Sequence, residues 1–163
     1  KHFPGLGAAT EDPHQGLSTI SLTMEQFENG EKAAFAAGIE AGADMVMIST
    51  ASAPELTGNN DPCIFSSSLV TDVLRNEMGF DGVIITDALN MSAVSEYYGS
   101  AEAAVMALRA GCDMILMPED FEAAYEGVLQ AVQDGQISEE RINDALKRIY
   151  RIKYREKYGE QIE

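Results

Sequence analysis

Several residue types are scarce in this 163-residue sequence, and each scarcity narrows the functions open to it. It has no tryptophan, two cysteines and two histidines, and 27 aspartates and glutamates outnumber its 11 lysines and arginines. The net charge of -16 would repel a phosphate backbone or an anionic membrane surface. No apolar run is long enough to span a bilayer. We therefore expect neither a nucleic-acid partner nor a membrane-spanning segment.

The two cysteines, Cys63 and Cys112, do not have the spacing of a metal site. Cys112 lies in an apolar context, which favours a small buried hydrophobe. A disulfide between the two cysteines stays open as an alternative, and with it the redox compartment.

Three short apolar segments resemble one another and predict buried strands. They are "AGADMVMIS" at 41–49, "FDGVIITD" at 80–87 and "AGCDMILMP" at 110–118. Each contains a glycine followed by a run rich in Val, Ile and Met that is too short for a helix. Such runs are typical of strands that are buried on both faces and follow a helix through a glycine turn.

The segments between and after these runs have helical spacing. They begin near Met24, Ser66 and Ser100, and two more follow the last strand, at 119–135 and 138–159. Alternating strands and helices imply right-handed crossovers and a parallel sheet, so the fold class is α/β. A doubly wound sheet and part of a (β/α)8 barrel both fit this pattern.

Polar residues at the ends of the predicted strands favour the barrel, because barrel active sites are assembled at the carboxyl ends of the strands. Asp87 follows the apolar run "GVIIT", and Ser49 and Thr50 follow an earlier one. Asp87 is either a catalytic carboxylate or a cap for the helix predicted after it, and its spacing does not decide between the two.

Two longer motifs resemble the β-N-acetylhexosaminidase branch of glycoside hydrolase family 3. The opening "KHFPGLGAATEDPH" is similar to that family's K-H-F-P-G-H-G-x(4)-D-S-H loop, and "LRNEMGFDGVIITDALNMSAV" at 74–94 is similar to its nucleophile segment. The segment at 110–118 resembles the family's last barrel strand. This resemblance covers nearly the whole chain. It implies that residues 1–163 are the C-terminal half of a (β/α)8 TIM barrel, from the acid/base loop through the last strand and terminal helices.

The resemblance also implies a site and a reaction. Asp87 would be the nucleophile of a retaining glycosidase, and His14, oriented by Asp12, would be the acid/base that protonates the leaving oxygen and then activates water. Lys1 and His2 match the pair that binds sugar hydroxyls, and Met117 would line the floor of the subsite.

Four positions depart from the family pattern. Leu6 stands where the family usually has His, Ala8 where it commonly has Asp, and Pro13 where Ser separates the dyad residues. Thr50 or its neighbour stands where the family often has another His. The changes at Leu6 and Ala8 remove no predicted catalytic atom. Pro13 restricts the loop, which is expected to alter the geometry of the dyad, and one substrate contact is expected to be lost at Thr50.

The function that the resemblance implies is a retaining exo-β-N-acetylglucosaminidase of bacterial type that acts on glycans derived from peptidoglycan or chitin, with no metal and no organic cofactor. A phosphorylase that uses phosphate in place of water is the alternative enzyme, and a non-catalytic sugar-binding half-barrel is the alternative outside enzymes. Only three strands are evident and none precedes Lys1, so we expect the chain to pair with a missing N-terminal half or with another chain. The compartment, cytoplasmic or extracytoplasmic, is left open.

Overall fold

A parallel sheet forms from the three predicted apolar runs. The computed structural model describes residues 1–9 and 18–155, and within them the strands are β1 (Met45–Ile48), β2 (Val83–Ala88) and β3 (Met114–Leu116). Their order in the sheet is β1-β2-β3, and both pairs are parallel. Each strand is reached through a helical crossover, as the α/β pattern predicts.

Helices cover one face of the sheet. Their bounds are α1 (Met24–Asn29), α2 (Glu31–Glu40), α3 (Pro54–Thr57), a 3₁₀ turn (Cys63–Phe65), a π-helix (Ser68–Glu77), α4 (Ser92–Ser95), α5 (Ser100–Ala110), α6 (Phe121–Gln133) and α7 (Glu139–Lys153). Within the described ranges, no helix is long and apolar enough to cross a membrane.

The sheet has one more position than the sequence indicates. The Phe3 backbone N–H donates to the Met47 carbonyl at 2.8 Å, and the Ser49 N–H donates to the Phe3 carbonyl at 2.9 Å, so Phe3 pairs in parallel beside β1. The expectation that the chain opens on a loop was therefore wrong for Phe3, whereas Lys1 and His2 have no regular secondary structure. The Phe3 ring is fully buried and packs edge-on against Phe27 and Phe35.

The single helix predicted from Met24 is two helices. The Thr23 hydroxyl accepts from the Gln26 N–H while the Gln26 side chain accepts from the Thr23 N–H, a reciprocal cap that begins α1. At Gly30 the backbone leaves helical geometry with φ -130 and ψ -92, and α2 begins one residue later. Periodicity misses this break because the apolar spacing continues through it.

The sheet's two faces differ in how fully they are covered. Val46, Ile48 and Ile84 point into the main core, which α5, the π-helix and the aromatic cluster around Phe3 complete. Side chains alternate along a strand, so Met45 and Met114 lie on the opposite face. Met45 is 41% exposed and Met114 is half-buried. The helix-facing core is complete, whereas the other face is partly open.

A buried carboxylate ties the amino ends of β2 and β3 to the terminal helix. The Asp113 side chain is fully buried and accepts from Arg75 at 2.6 Å, Arg141 at 3.2 Å and Arg148 at 3.3 Å. It also accepts from the Ile84 N–H at 3.0 Å, and the Asp113 N–H donates to the Ile84 carbonyl at 2.7 Å. These bonds anchor α7, which carries Arg141 and Arg148, at the amino end of β2.

Both cysteines are free and buried, so the disulfide alternative is wrong for this structure. Burial raises the pKa of the Cys63 thiol to about 12, and burial likewise raises that of Cys112 to about 12. Their surroundings are apolar core, which agrees with the interpretation of Cys112 as a small hydrophobe.

Candidate active site

The carboxyl edge of the sheet gathers the polar residues that the sequence placed at strand ends. Ser49 and Thr50 follow β1, Asp87 is the penultimate residue of β2, and Met117 follows β3. Because all three strands are parallel, these residues share one edge. This is the edge at which β/α barrels assemble their active sites.

Asp87 is the carboxylate at the centre of this edge. Its Oδ1 accepts from the Ala88 backbone N–H at 2.9 Å, while its Oδ2 lies 3.5 Å from His2 Nε2. The side chain is 18% exposed, so part of it can be reached from solvent. A carboxylate that is held by a hydrogen bond on one oxygen and is partly exposed to solvent is compatible with a role as a nucleophile.

The capping alternative for Asp87 is wrong. The helix that follows, α4, has Met91 at its N-cap position and no side-chain cap hydrogen bond. The Asp87 carboxylate instead binds the amide of its own neighbour within β2. Its position at the carboxyl edge is therefore not explained by helix capping.

His2 reaches Asp87 because Phe3 is part of the sheet. The pairing of Phe3 with β1 places the preceding residue over the carboxyl edge, and the Gly5 N–H donates to the His2 carbonyl at 2.8 Å. Gly5 has φ +124, and a Cβ there would meet the Glu31 side chain, so this tight turn requires glycine. The His2 side chain is 23% exposed and forms an ion pair with Asp87 when protonated.

Lys1 lies apart from this pair. It is exposed and lines a groove of about 370 Å³ together with Gly5, Phe35 and Met45. The structure thus brings together two of the predicted site residues, His2 and Asp87, and places Lys1 over a neighbouring surface.

Met117 stands beside the turn that follows Asp87. Its carbonyl accepts from the Asn90 N–H at 3.0 Å, and the preceding carbonyl of Leu116 accepts from the Leu89 N–H at 2.9 Å. The Met117 backbone has φ +47, and its side chain is 56% exposed. A flexible apolar side chain is therefore presented to solvent at the carboxyl edge.

Thr50, where the resembling family often has a histidine, is fully buried. Its hydroxyl donates to the Met91 sulfur at 3.8 Å, and the neighbouring Ser49 hydroxyl accepts from the Ala51 N–H at 3.0 Å. Both hydroxyls bind within the chain.

Asp12 and His14, with Pro13 between them, lie outside the described residues. The segments on either side are anchored at the carboxyl edge: Ala9 and Ile20 form an antiparallel bridge. The Ser52 N–H donates to the Ser18 carbonyl at 2.9 Å, and the Ile20 N–H donates to the Ser52 carbonyl at 2.8 Å. Leu6 and Ala8, the other two departures from the family pattern, pack against the main core.

Two features of the site region were missed by sequence reasoning. One is the Asp113 cluster, which holds the amino end of β2; the spacing of three arginines over 73 residues gives no local signal. The other is Thr86, whose buried hydroxyl binds the β3 backbone. Within residues 1–9 and 18–155, no group of three or more His, Cys, Asp or Glu side chains is arranged to hold a metal ion.

Comparison with known proteins identifies relatives of this chain. The model of the glycosyl hydrolase family 3 N-terminal domain matches residues 1–152. A beta-hexosaminidase of Xylella fastidiosa strain M23 is 38% identical over 117 residues, which cover 72% of this chain and 34% of that protein. The chain spans 29% to 34% of the length of the first curated relatives.

Solved structures give the same result. A family 3 beta-N-acetylglucosaminidase from Paenibacillus sp. str. FPU-7 superposes with a TM-score of 0.91 at 40% identity, over 95% of this chain and 30% of that one. A beta-glucoside phosphorylase superposes with a TM-score of 0.87 at 25% identity, over 99% of this chain and 31% of that one.

Proposed function

Because this chain belongs to glycosyl hydrolase family 3, we propose that it supplies the nucleophile half of a retaining exo-β-N-acetylglucosaminidase. The observation that carries the proposal is the Asp87 carboxylate, reachable from solvent at the carboxyl edge of a parallel sheet, with His2 Nε2 3.5 Å from its Oδ2. The names of the relatives, beta-hexosaminidase and beta-N-acetylglucosaminidase, support the substrate class.

Asp87 forms and later releases the glycosyl-enzyme intermediate. One of its carboxylate oxygens attacks the anomeric carbon of a terminal β-linked N-acetylglucosamine, and the bond from that carbon to the leaving oxygen breaks. The leaving oxygen takes a proton from the acid/base. In the second step the acid/base removes a proton from water, which attacks the same carbon and frees Asp87 with net retention of configuration.

His14 is proposed as the acid/base and Asp12 as its partner, on the strength of the motif. An imidazole titrates near neutrality, so it can donate a proton and recover it without a large shift in pKa, and a carboxylate partner fixes its tautomer. The anchoring of Ala9 to Ile20 and of Ser18 to Ser52 supports this role, because both flanks of the motif meet beside β1 at its carboxyl edge.

Three residues are proposed to bind the sugar. His2 Nε2 donates either to Asp87 or to a sugar hydroxyl placed between them, Lys1 donates to a neighbouring hydroxyl, and Met117 packs against the apolar face of the ring. The His2–Asp87 distance supports the role of His2, and the exposure of Met117 supports the role of Met117.

The complete barrel is proposed to need a companion half, either an N-terminal half or another chain. Phe3, β1, β2 and β3 fill four parallel sheet positions, whereas a β/α barrel closes with eight. In the described part of the chain β3 pairs only with β2, and the groove beside β3 has a volume of about 430 Å³ and a mainly apolar lining. Phe121 and Tyr125 border that groove with 74% and 62% of their surfaces exposed, which a companion half would cover.

A phosphorylase is the second candidate, favoured by the structural similarity to a beta-glucoside phosphorylase. A neutral histidine acid/base does not repel an incoming phosphate as a carboxylate would, so the His14 motif is compatible with this chemistry. In that reaction phosphate rather than water attacks the glycosyl-enzyme, and the product is a sugar 1-phosphate.

Turnover of a chromogenic β-N-acetylglucosaminide by the complete enzyme tests the proposal. Asp87→Asn should abolish turnover while leaving the circular dichroism spectrum unchanged, because the attacking charge is lost at constant volume. Asp72→Asn, on the exposed side of the π-helix, is the matched control and should retain full turnover. Analysis of products in phosphate buffer separates free N-acetylglucosamine from its 1-phosphate. Full activity of Asp87→Asn, or no activity of the unaltered enzyme, would overturn the proposal.

A further inference from the structure

The pairing of β2 with β3 is interrupted at the site, whereas its pairing with β1 is not. From Met45↔Val83 to Ile48↔Thr86, β1 and β2 advance together. On the other side, Ile85 faces Met114 but Ala88 faces Leu116, so β2 advances three residues while β3 advances two. The extra residue forms a bulge that contains Thr86 and Asp87. Bulges next to active sites re-aim side chains.

At the bulge a backbone N–H of β3 has no backbone acceptor on β2, and the Thr86 hydroxyl oxygen accepts its hydrogen bond instead. The Leu116 N–H donates to the Thr86 hydroxyl oxygen at 3.0 Å, and the Thr86 side chain is fully buried. Leaving this partly buried N–H without a partner would be unfavourable, so the bond stabilises the bulged pairing. Backbone pairing resumes beyond the bulge, where the Leu89 N–H donates to the Leu116 carbonyl at 2.9 Å.

The Leu116 peptide is thus held from both sides of Asp87. Its N–H binds the residue just before Asp87, and its carbonyl binds the backbone two residues after Asp87. The two bonds bracket Asp87 and Ala88 and set the direction in which the Asp87 side chain leaves the strand. In this arrangement Asp87 Oδ2 lies 3.5 Å from His2 Nε2.

We propose that Thr86 is a positioning residue for the glycosidase reaction, which aims Asp87 at the anomeric carbon by capping the bulge through its hydroxyl. This inference rests on the proposed function of Asp87. In this role Thr86 acts through the backbone of β3.

The test compares threonine variants of the complete enzyme on a chromogenic β-N-acetylglucosaminide. Thr86→Val keeps the shape of the side chain and removes the acceptor. We expect kcat to fall roughly 10- to 100-fold with little change in KM, because a misplacement of about 1 Å costs about 10²-fold in rate. Thr86→Ser keeps the hydroxyl and should hold kcat within about threefold of the parent, by the same reasoning on geometry.

Thr71→Val is the matched control. The Thr71 hydroxyl also binds a backbone group, donating to the Ala110 carbonyl at 2.8 Å, but it lies on the π-helix away from the carboxyl edge. Both valine variants should be less stable, and only Thr86→Val should lose kcat per folded molecule. Amide hydrogen exchange provides a second readout, since Leu116 should lose protection in Thr86→Val and keep it in Thr71→Val.

The outcomes separate this inference from the function on which it rests. Full turnover by Asp87→Asn overturns the proposed function. If Asp87→Asn is inactive but Thr86→Val matches Thr71→Val in kcat, the positioning role is wrong. Should Thr86→Val fail to fold, Thr86→Ser still decides, because a loss of kcat beyond tenfold with the hydroxyl retained would overturn the role.

Discussion

Replacing Asp113 with asparagine should strongly destabilise the chain. The Asp113 carboxylate is fully buried and receives hydrogen bonds from three guanidinium groups and one backbone N–H. Asparagine keeps the size and one acceptor oxygen but removes the charge that faces Arg75, Arg141 and Arg148. Its amide N–H₂ would also point a donor at these donors.

The magnitude follows from how deeply the partners are buried. Removing one member of a buried ion pair costs about 3–5 kcal/mol, because the remaining charge is left without compensation. The three arginine side chains retain 15%, 24% and 20% exposure, so water can partly solvate them, and the lower end of that range applies. We therefore expect a loss of about 3 kcal/mol, which is a large part of the ~5–15 kcal/mol typical of a domain.

Urea unfolding followed by circular dichroism measures this loss. With a slope of about 2 kcal/mol per molar urea, the midpoint of Asp113→Asn should fall by about 1.5 M. Asp144→Asn is the matched control, because Asp144 forms an exposed ion pair with Lys147 on α7; it should leave the midpoint unchanged. All measurements use one protein concentration, since association would shift the midpoint. A midpoint for Asp113→Asn equal to that of the control would refute the reasoning.

Three further predictions concern the surface and the buried thiols. A hydrogen bond from Arg151 holds the pKa of Asp81 below its usual value. The contribution of the ionised Asp81 to folding stability is therefore fully present above the ordinary pKa of about 3.9, and it is lost as the pH falls through the lower pKa of the folded state. Asp81→Asn should accordingly flatten the acid side of a plot of unfolding midpoint against pH, and an unchanged plot would refute this. Cys63 and Cys112 should react with a thiol reagent only in urea, given their raised pKa and burial, and fast labelling of the native chain would contradict their placement. Phe121→Ser should leave the spectrum of the chain unchanged and weaken its association with a companion half in sedimentation experiments; unchanged association would show that this groove is not covered by the companion.

The sequence predicts the strands and most helices of this fold because their signals are local. Glycine turns followed by Val, Ile and Met mark β1, β2 and β3. β1 and β3 lie within their predicted segments, and β2 extends one residue beyond its own, to Ala88. The broken helix at Gly30 and the parallel pairing of Phe3 escape such analysis. The helix break depends on the backbone angles of Gly30 alone, and the pairing of Phe3 depends on β1, which begins 42 residues further along the chain.

The candidate site divides in the same way. The position of Asp87 after an apolar run marks it as a candidate without deciding between catalyst and helix cap, and the family motifs add its predicted role and His2. The bulge at Thr86 has no sequence signature, because it arises where β2 advances by three residues while its partner β3 advances by two. The convergence on Asp113 is equally hidden, since Arg75 and Arg148 meet there only after the π-helix and α7 have packed beneath the sheet.

Trapping of the glycosyl-enzyme tests the central claim most directly. A fluorinated N-acetylglucosaminide with an activated leaving group should form the intermediate faster than water releases it, so the complete enzyme accumulates the adduct. Mass spectrometry of the digested enzyme should then find the added sugar mass on Asp87, and Asp87→Asn should remain unlabelled. A sugar adduct on another carboxylate, with Asp87 unmodified, would contradict the account.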